Sequence, residues 1–363
     1  MKITFLAPLF IACFVLIFGC KQSTPNSATE HEKKPAAPKN IVLVIGDGTG
    51  INQISALEFY KEGPISYDDF PVVGLSKVSS TSLVTDSAAA GTAMDCGQKT
   101  YNKAIGVDVN GQALPSITEY MAQKGGANGI ISTSSITHAT PACFFAHHDD
   151  RNDHEIIAGF LPQAPINFFA GPGMKYFNQR TDQVNLMPIF SQNNFEIDSI
   201  LRPHPEAEKV GYLLAPEDMP KMSEGRGPFL QEAADLAIKH LTKNDRGFFM
   251  MLEASQVDWG GHDNDFPYML SELIDLDDTL GFLLNFARRD QNTLIVVTGD
   301  HATGGFSLSA DDDSYDKINP TFSSTRHNAD WIPVFAYGPG AEQFGGVYEN
   351  TAIFYKIKSL LDL

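Results

Sequence analysis

Residues 40–48 read NIVLVIGDG, and this stretch decides the fold. Five consecutive aliphatic side chains, Ile41 to Ile45, leave no polar face for water. A strand of a sheet with one wet face alternates polar and apolar residues. An unbroken aliphatic run belongs to a parallel sheet covered by helices on both sides. Gly46-Asp47-Gly48 then ends the strand in a turn that carries a carboxylate. Further strands are predicted at Val72–Val78, Ile130–Ser134, Phe248–Leu252, Leu294–Thr298 and Trp331–Tyr337. Helical spacing falls between them, at Ile51–Lys61, Ser87–Cys96, Ser116–Lys124, Phe229–Leu241, Leu270–Phe286 and Thr351–Leu361. The predicted fold is α/β, with a mostly parallel central sheet and helices on both faces. Residues 171–226 are punctuated by Pro and Gly and are expected to be an insertion or lid within a single domain over 40–363.

Upstream of this body the sequence changes character. Met1-Lys2 is a positive start, and Ile3–Phe18 is a nearly unbroken apolar run. It has the proportions of a signal peptide and is short for a membrane span. Gly19-Cys20 at its end resembles the bacterial lipobox, which predicts cleavage after residue 19 and a lipid on Cys20. Residues 20–39 are polar, with Pro25, Pro35 and Pro38, and read as a flexible tether. The expectation is an exported, periplasmic or cell-surface protein whose contact with the membrane is the lipid alone. Within the body only Cys96 and Cys143 remain, and both sit in apolar helical stretches, which favours two free thiols over a disulfide.

Charge excludes one class of function. The chain has 26 Lys+Arg and 44 Asp+Glu, a formal charge of −18. Five of the lysines and two of the acids lie in residues 1–39, leaving −21 on residues 40–363. A nucleic-acid partner needs a cationic face, and none is available on average.

Chemistry is expected where strands end, because open α/β sheets bind ligands beyond the carboxyl ends of their strands. Four predicted strands end near residues of metal-ligand type. These are Asp47; His138 and Thr140; Glu253 and Asp258; and Asp300-His301. A single Asp there is commonly a helix cap; four such ends are hard to assign to caps. Asp258 and His262 are four apart, so a helix would put both on one face, though Gly260-Gly261 argues for a turn. His327 precedes another strand and completes the candidate set, while His31, His204 and His240 read as ordinary surface or core residues. Mixed Asp and His ligands favour zinc. The oxygen set Asp47, Thr140 and Glu253 favours magnesium. Thr85-Asp86-Ser87 followed by Ala88-Ala89-Ala90-Gly91 sets a serine hydroxyl at a helix N-terminus, where amide donors favour an anion. Alone, that segment reads equally well as a plain cap on a buried alanine face.

Together these pieces resemble the alkaline phosphatases of bacteria and animals. The matching segments are Gly46-Asp47-Gly48, Thr85-Asp86-Ser87-Ala88, His138-Ala139-Thr140-Pro141-Ala142, Asp150-Arg151-Asn152, Glu253 with Asp258 and His262, Gly299-Asp300-His301, and His327. The resemblance runs from about residue 40 to the C-terminus and is weakest over 171–226. It implies hydrolysis of small phosphate monoesters through a phosphoserine on Ser87, with two zinc ions and one magnesium ion. Asp300, His301 and Asp47 would hold the zinc that activates Ser87. Asp258, His262 and His327 would hold the zinc facing the leaving-group oxygen. Asp47, Thr140 and Glu253 would be the magnesium ligands. Arg151 would clamp the phosphate with Asp86 orienting it. His138 stands beside the third site where some relatives have Asp, a change that turns that site toward zinc. Trp259 stands in the substrate pocket where several relatives have Lys or His, which shifts phosphate binding onto Arg151 and the metals. A homodimer is compatible with the resemblance, although the body is shorter than many relatives. Two other readings were weighed. A phosphodiesterase of the same superfamily would lack the third site and the Arg151 clamp. A non-catalytic, lipid-anchored phosphate- or metal-binding protein would leave Ser87 and Arg151 without a role.

Overall fold

The protein is described from a computed structural model over residues 37–363. The expected signal peptide and the expected lipidation site Cys20 lie outside the described residues. The chain opens with β1 (Asn40–Gly46), α1 (Ile51–Tyr60), β2 (Val72–Lys77), α2 (Ser87–Cys96), α3 (Ile117–Gln123) and β3 (Ala127–Ser132). Next come α4 (Ala139–Cys143), α5 (His154–Ala158), β4 (Phe168–Gly171), α6 (Lys175–Asn178), α7 (Met187–Gln192), β5 (Phe195–Asp198) and β6 (Lys209–Leu213). They are followed by α8 (Phe229–Leu241), β7 (Phe248–Ala254), α9 (Gln256–His262), α10 (Phe266–Asp290) and β8 (Thr293–Gly299). Four smaller strands, β9 (Ala302–Thr303), β10 (Ser307–Asp311), β11 (Ser314–Thr321) and β12 (His327–Asn328), precede β13 (Ile332–Tyr337), β14 (Gly346–Glu349) and α11 (Thr351–Leu361).

Ten strands form one sheet in the order β14-β2-β13-β8-β1-β7-β3-β4-β6-β5. All pairings are parallel except those of β13 with β8 and β2. The expected α/β architecture is therefore correct. The first strand shows why its sequence demands this fold. Ile41, Leu43 and Ile45 pack with α2, α4 and α11 on one face, and Val42 and Val44 with α1, α8 and α10 on the other. All five are fully buried. Each such side chain contributes about 1.5–3 kcal/mol relative to exposure. Helix ends carry their own signals. Asp86 caps α2 by accepting from Ala89 N at 3.0 Å, and Ser116 and Glu119 form a reciprocal capping box on α3.

Residues 171–226 are a correction. They are part of the sheet rather than a lid over it, because they supply β5 and β6 and bury Phe177, Phe190, Phe195 and Tyr212. Their strands are only four and five residues long, too short to show a period between Pro and Gly turns. The end of the segment is fastened to α10 by Arg226, whose buried guanidinium lies 2.5 Å from Glu272 and 2.8 Å from Asp275.

Cys96 and Cys143 are both buried and free, as expected. Among the described residues no helix is long and apolar enough to cross a membrane.

Candidate active site

The carboxyl ends of β8, β1, β7 and β3 lie side by side, with Gly46 opposite both Gly299 and Ala254, and Ser132 opposite Glu253. Asp47, Asp300 and Glu253 thus meet at one rim of the sheet. Gly48 lets the turn after β1 pass against α9: its φ is +70°, and a Cβ there would stand 2.6 Å from Asp258 Cα. The turn expected at Gly260-Gly261 is instead the middle of helix α9. A side chain at Gly260 would meet the backbone of Met269 at 2.6 Å and one at Gly261 would meet Thr303 at 3.1 Å, so the two glycines serve the close approach of α10 and of β9 respectively. The helix puts Asp258 and His262 on one face, with Asp258 Oδ2 3.3 Å from His262 Nε2.

His327 arrives through a short antiparallel bridge, paired with Thr303. Its Nε2 lies 3.1 Å from His262 Nε2. Both rings place Nδ1 against a backbone carbonyl, His262 on Thr325 O at 2.7 Å and His327 on Thr85 O at 2.9 Å. That arrangement fixes the tautomer and turns the Nε2 lone pairs inward, as in metal-ligating imidazoles. Two lone pairs facing at this distance are stabilised by a cation between them. His301 Nε2 lies 3.2 Å from Asp300 Oδ2, 3.5 Å from Asp47 Oδ1 and 3.4 Å from Ser87 Oγ. Two ligand groups result, Asp258 with His262 and His327, and Asp47 with Asp258 and His301. Within each group the donor atoms lie within 4.8 Å of one another.

The buried oxygens test whether cations fit. Asp47 Oδ1 and Oδ2, Thr140 Oγ1, Glu253 Oε1 and Asp300 Oδ2 are buried without a hydrogen-bond partner. A native protein leaves few such atoms unpaired without reason. Burial, then the charges of Asp300, Asp258 and Glu253, push the Asp47 carboxyl well above its ordinary range. Glu253 and Asp300 are each pushed up to about 6, chiefly by burial. Burial also acts to raise Asp258, but His262, His301 and His327 hold it below the carboxylate range. This donor set lacks positive charge and fits dications. The trio Asp47, Thr140 and Glu253 offers oxygen alone, which suits a hard cation.

Ser87 opens α2 and is 2% exposed. Arg151 Nη1 lies 3.4 Å from Ser87 Oγ and 3.2 Å from Asp86 Oδ2, and its Nη2 lies 3.4 Å from His138 Nε2. Burial, then Arg151, push His138 down to about 3, so its ring is neutral. The Trp259 ring meets His138 edge-on at 5.9 Å. The candidate metal, phosphate and substrate-pocket residues of the body sequence therefore lie in or against one centre. Other contacts leave no mark in the sequence. Ser132 and Ser134 donate to Glu253 Oε2 at 2.5 and 3.3 Å, and Thr303 donates to Asp258. Their hydroxyls come from different strands and loops, and carbonyl partners such as Thr85 and Thr325 carry no residue preference.

The sequence model of the family described as Alkaline phosphatase matches residues 38–319. The chain belongs to the alkaline phosphatase family. It is 36% identical to alkaline phosphatase 3 of Bacillus subtilis (strain 168), over 80% of this chain and 67% of that one. Alkaline phosphatase 4 of the same organism is 29% identical, over 92% and 91%. Among solved structures, the alkaline phosphatase from the Antarctic bacterium TAB5 superposes with a TM-score of 0.89 at 47% identity, covering 91% of this chain and 99% of that one. Membership makes the chain a phosphatase, and the metal-type donors just described are those of a metal-binding enzyme.

Proposed function

We propose that the protein hydrolyses phosphate monoesters through a phosphoserine on Ser87, with two zinc ions and one magnesium ion. One observation carries this reading: the Ser87 hydroxyl lies 3.4 Å from both His301 Nε2 and Arg151 Nη1 at the mouth of a carboxylate–imidazole cluster. Asp258, His262 and His327 would hold one zinc, Asp300, His301 and Asp47 the other, and Asp47, Thr140 and Glu253 the magnesium. Bound dications would supply Lewis-acid charge to the entering and leaving oxygens. Magnesium is bound in the M3 site of two variants of the TAB5 enzyme in which a histidine is replaced by Asp or Glu, so a magnesium position occurs in carboxylate-substituted members of the family.

The chain's own residues then act as follows. Arg151, oriented by Asp86, binds two phosphate oxygens, a geometry that guanidinium matches and ammonium does not. Ser87 loses its proton to solvent and its Oγ attacks phosphorus, forming the serine ester as the bond to the alcohol oxygen breaks. The alcohol departs opposite Ser87 and takes a proton from solvent. Water attacks the same phosphorus from the vacated side, the bond to Ser87 Oγ breaks, and inorganic phosphate leaves. The oxygen trio and Arg151 favour a monoesterase over a diesterase.

The test is release of a chromogenic alcohol from its phosphate monoester at alkaline pH. Activity is expected to vanish with a chelator, to return with zinc and magnesium, and to be nearly abolished in Ser87→Ala. Near-normal turnover by that variant would remove Ser87 as nucleophile, and activity in metal-free protein would end the metal reading.

A further inference from the structure

A cavity of about 330 Å³ opens beside the site, lined by Val84, Thr85, Asp86, Asn102, His262, Arg326 and His327. Its inner wall is the pair of imidazoles assigned above to the leaving-group zinc. On the mechanism proposed above, the alcohol leaves opposite Ser87 toward this pair, and the cavity is then the space that would receive the alcohol part of the substrate. What lines it therefore selects among substrates.

Almost every polar side chain on that wall is already committed. Asp86 caps α2, accepts from Lys103 N at 2.9 Å and pairs with Arg151. Thr85 Oγ1 donates to Asp86 O at 2.9 Å. Asn102 donates to Val84 O at 3.1 Å and accepts from Ser80 Oγ at 2.6 Å. Both histidines hold carbonyls through Nδ1. Arg326 differs. Among the described residues its guanidinium has neither a hydrogen bond nor a carboxylate within 4.0 Å. Yet its backbone is fixed, with N on Ser324 Oγ at 3.0 Å and O accepting from Gly304 N at 3.0 Å. The flanking residues are pinned as well, Thr325 by His262 and His327 by Thr85. A rigid backbone thus presents one free cation at the mouth of an otherwise satisfied cavity, on a chain whose net charge is −18.

We propose that Arg326 is a subsite for a second anionic group, a phosphate or carboxylate carried on the alcohol part of the substrate. The preferred substrates are then monoesters of already anionic alcohols, such as bisphosphates. The inference rests on the phosphatase reading above and adds the substrate class.

The experiment compares α,ω-alkanediol bisphosphates of three, four and six carbons with the matching monophosphates, which differ only by the second phosphate. For at least one chain length the wild-type enzyme is expected to prefer the bisphosphate in kcat/KM by clearly more than the roughly twofold statistical factor of its two equivalent phosphates. Arg326→Gln is expected to lower that preference about tenfold, mainly through KM, the effect of one charge-assisted hydrogen bond. Arg326→Lys should restore part of it. Equal changes on both series, or no wild-type preference beyond that factor at any length, would overturn the subsite. Failure of wild-type enzyme to cleave either series would instead overturn the phosphatase reading. Arg326 is exposed and its backbone bonds survive substitution, so the variants fold.

Discussion

Arg151 shows how one side chain joins several demands. Its guanidinium touches the Asp86 carboxylate, the Ser87 hydroxyl and the His138 ring within 3.4 Å. Asp86 is the cap of the helix that Ser87 begins, so the proposed nucleophile and the Arg151 cation are set by the same carboxylate. Removing the guanidinium would leave the proposed metal ions as the remaining positive charge at Ser87. Arg151→Ala is therefore expected to weaken inhibition by inorganic phosphate by roughly ten- to a hundredfold, the range for charge-assisted hydrogen bonds. An unchanged inhibition constant would dismiss the clamp. At this scale the sequence was informative for Asp and His near strand ends, which announce their chemistry by type, whereas Ser87 at a helix start and Arg151 in a turn gained their reading only beside those residues. It was silent on the serine and threonine hydroxyls that hold Glu253 and Asp258, since those residues are common everywhere.

At the scale of elements, α2 carries chemistry at one end and a cost at the other. Asp95, in its last turn, is fully buried, and burial pushes its carboxyl up to about 8 despite donors from Cys96 and Ile117 N. The fold therefore favours the protonated form. The stability this gives is complete below the ordinary carboxylate pKa and is lost as pH rises toward 8. Asp95→Asn should consequently flatten the fall in melting temperature between pH 5 and pH 8; a slope equal to wild type would show that Asp95 does not titrate there. The junction of the 222–228 stretch with α10 is the second such place. Arg226→Met leaves Glu272 and Asp275 buried without a cation, and a loss of about 3–5 kcal/mol in denaturant unfolding is expected. A loss below 1 kcal/mol would mean that water or protonation replaces the guanidinium. The long elements were legible from the sequence because period and burial agree, as in β1 and α8. The short strands β5 and β6 were not, because four or five residues between breakers show no period. For α9 the sequence left helix and turn both open, because the reasons for Gly260 and Gly261 lie in α10 and in Thr303 of β9, different parts of the chain.

For the whole molecule, charge and chemistry are separated. The acidic surface repels phosphate, while attraction is confined to the proposed dication centre, Arg151 and the proposed Arg326 subsite. At a screening length of about 8–10 Å in moderate salt, that repulsion slows approach more than it weakens binding. Localisation is a proposal at this scale: lipid on Cys20 would hold the enzyme at a membrane after export. Cys20→Ala is expected to move activity from the membrane pellet to the soluble fraction, and continued sedimentation with membranes would point to another anchor. One feature of the sheet bears on use of the enzyme outside the cell. Strand β1 starts at Asn40 on one rim and delivers Asp47 to the other, about 20 Å away for seven residues. Whatever is fused ahead of residue 40, whether a resin linker, a dye or a carrier, joins the body at the rim opposite the mouth. Oriented immobilisation through the N-terminus should therefore keep access for bulky phosphorylated targets.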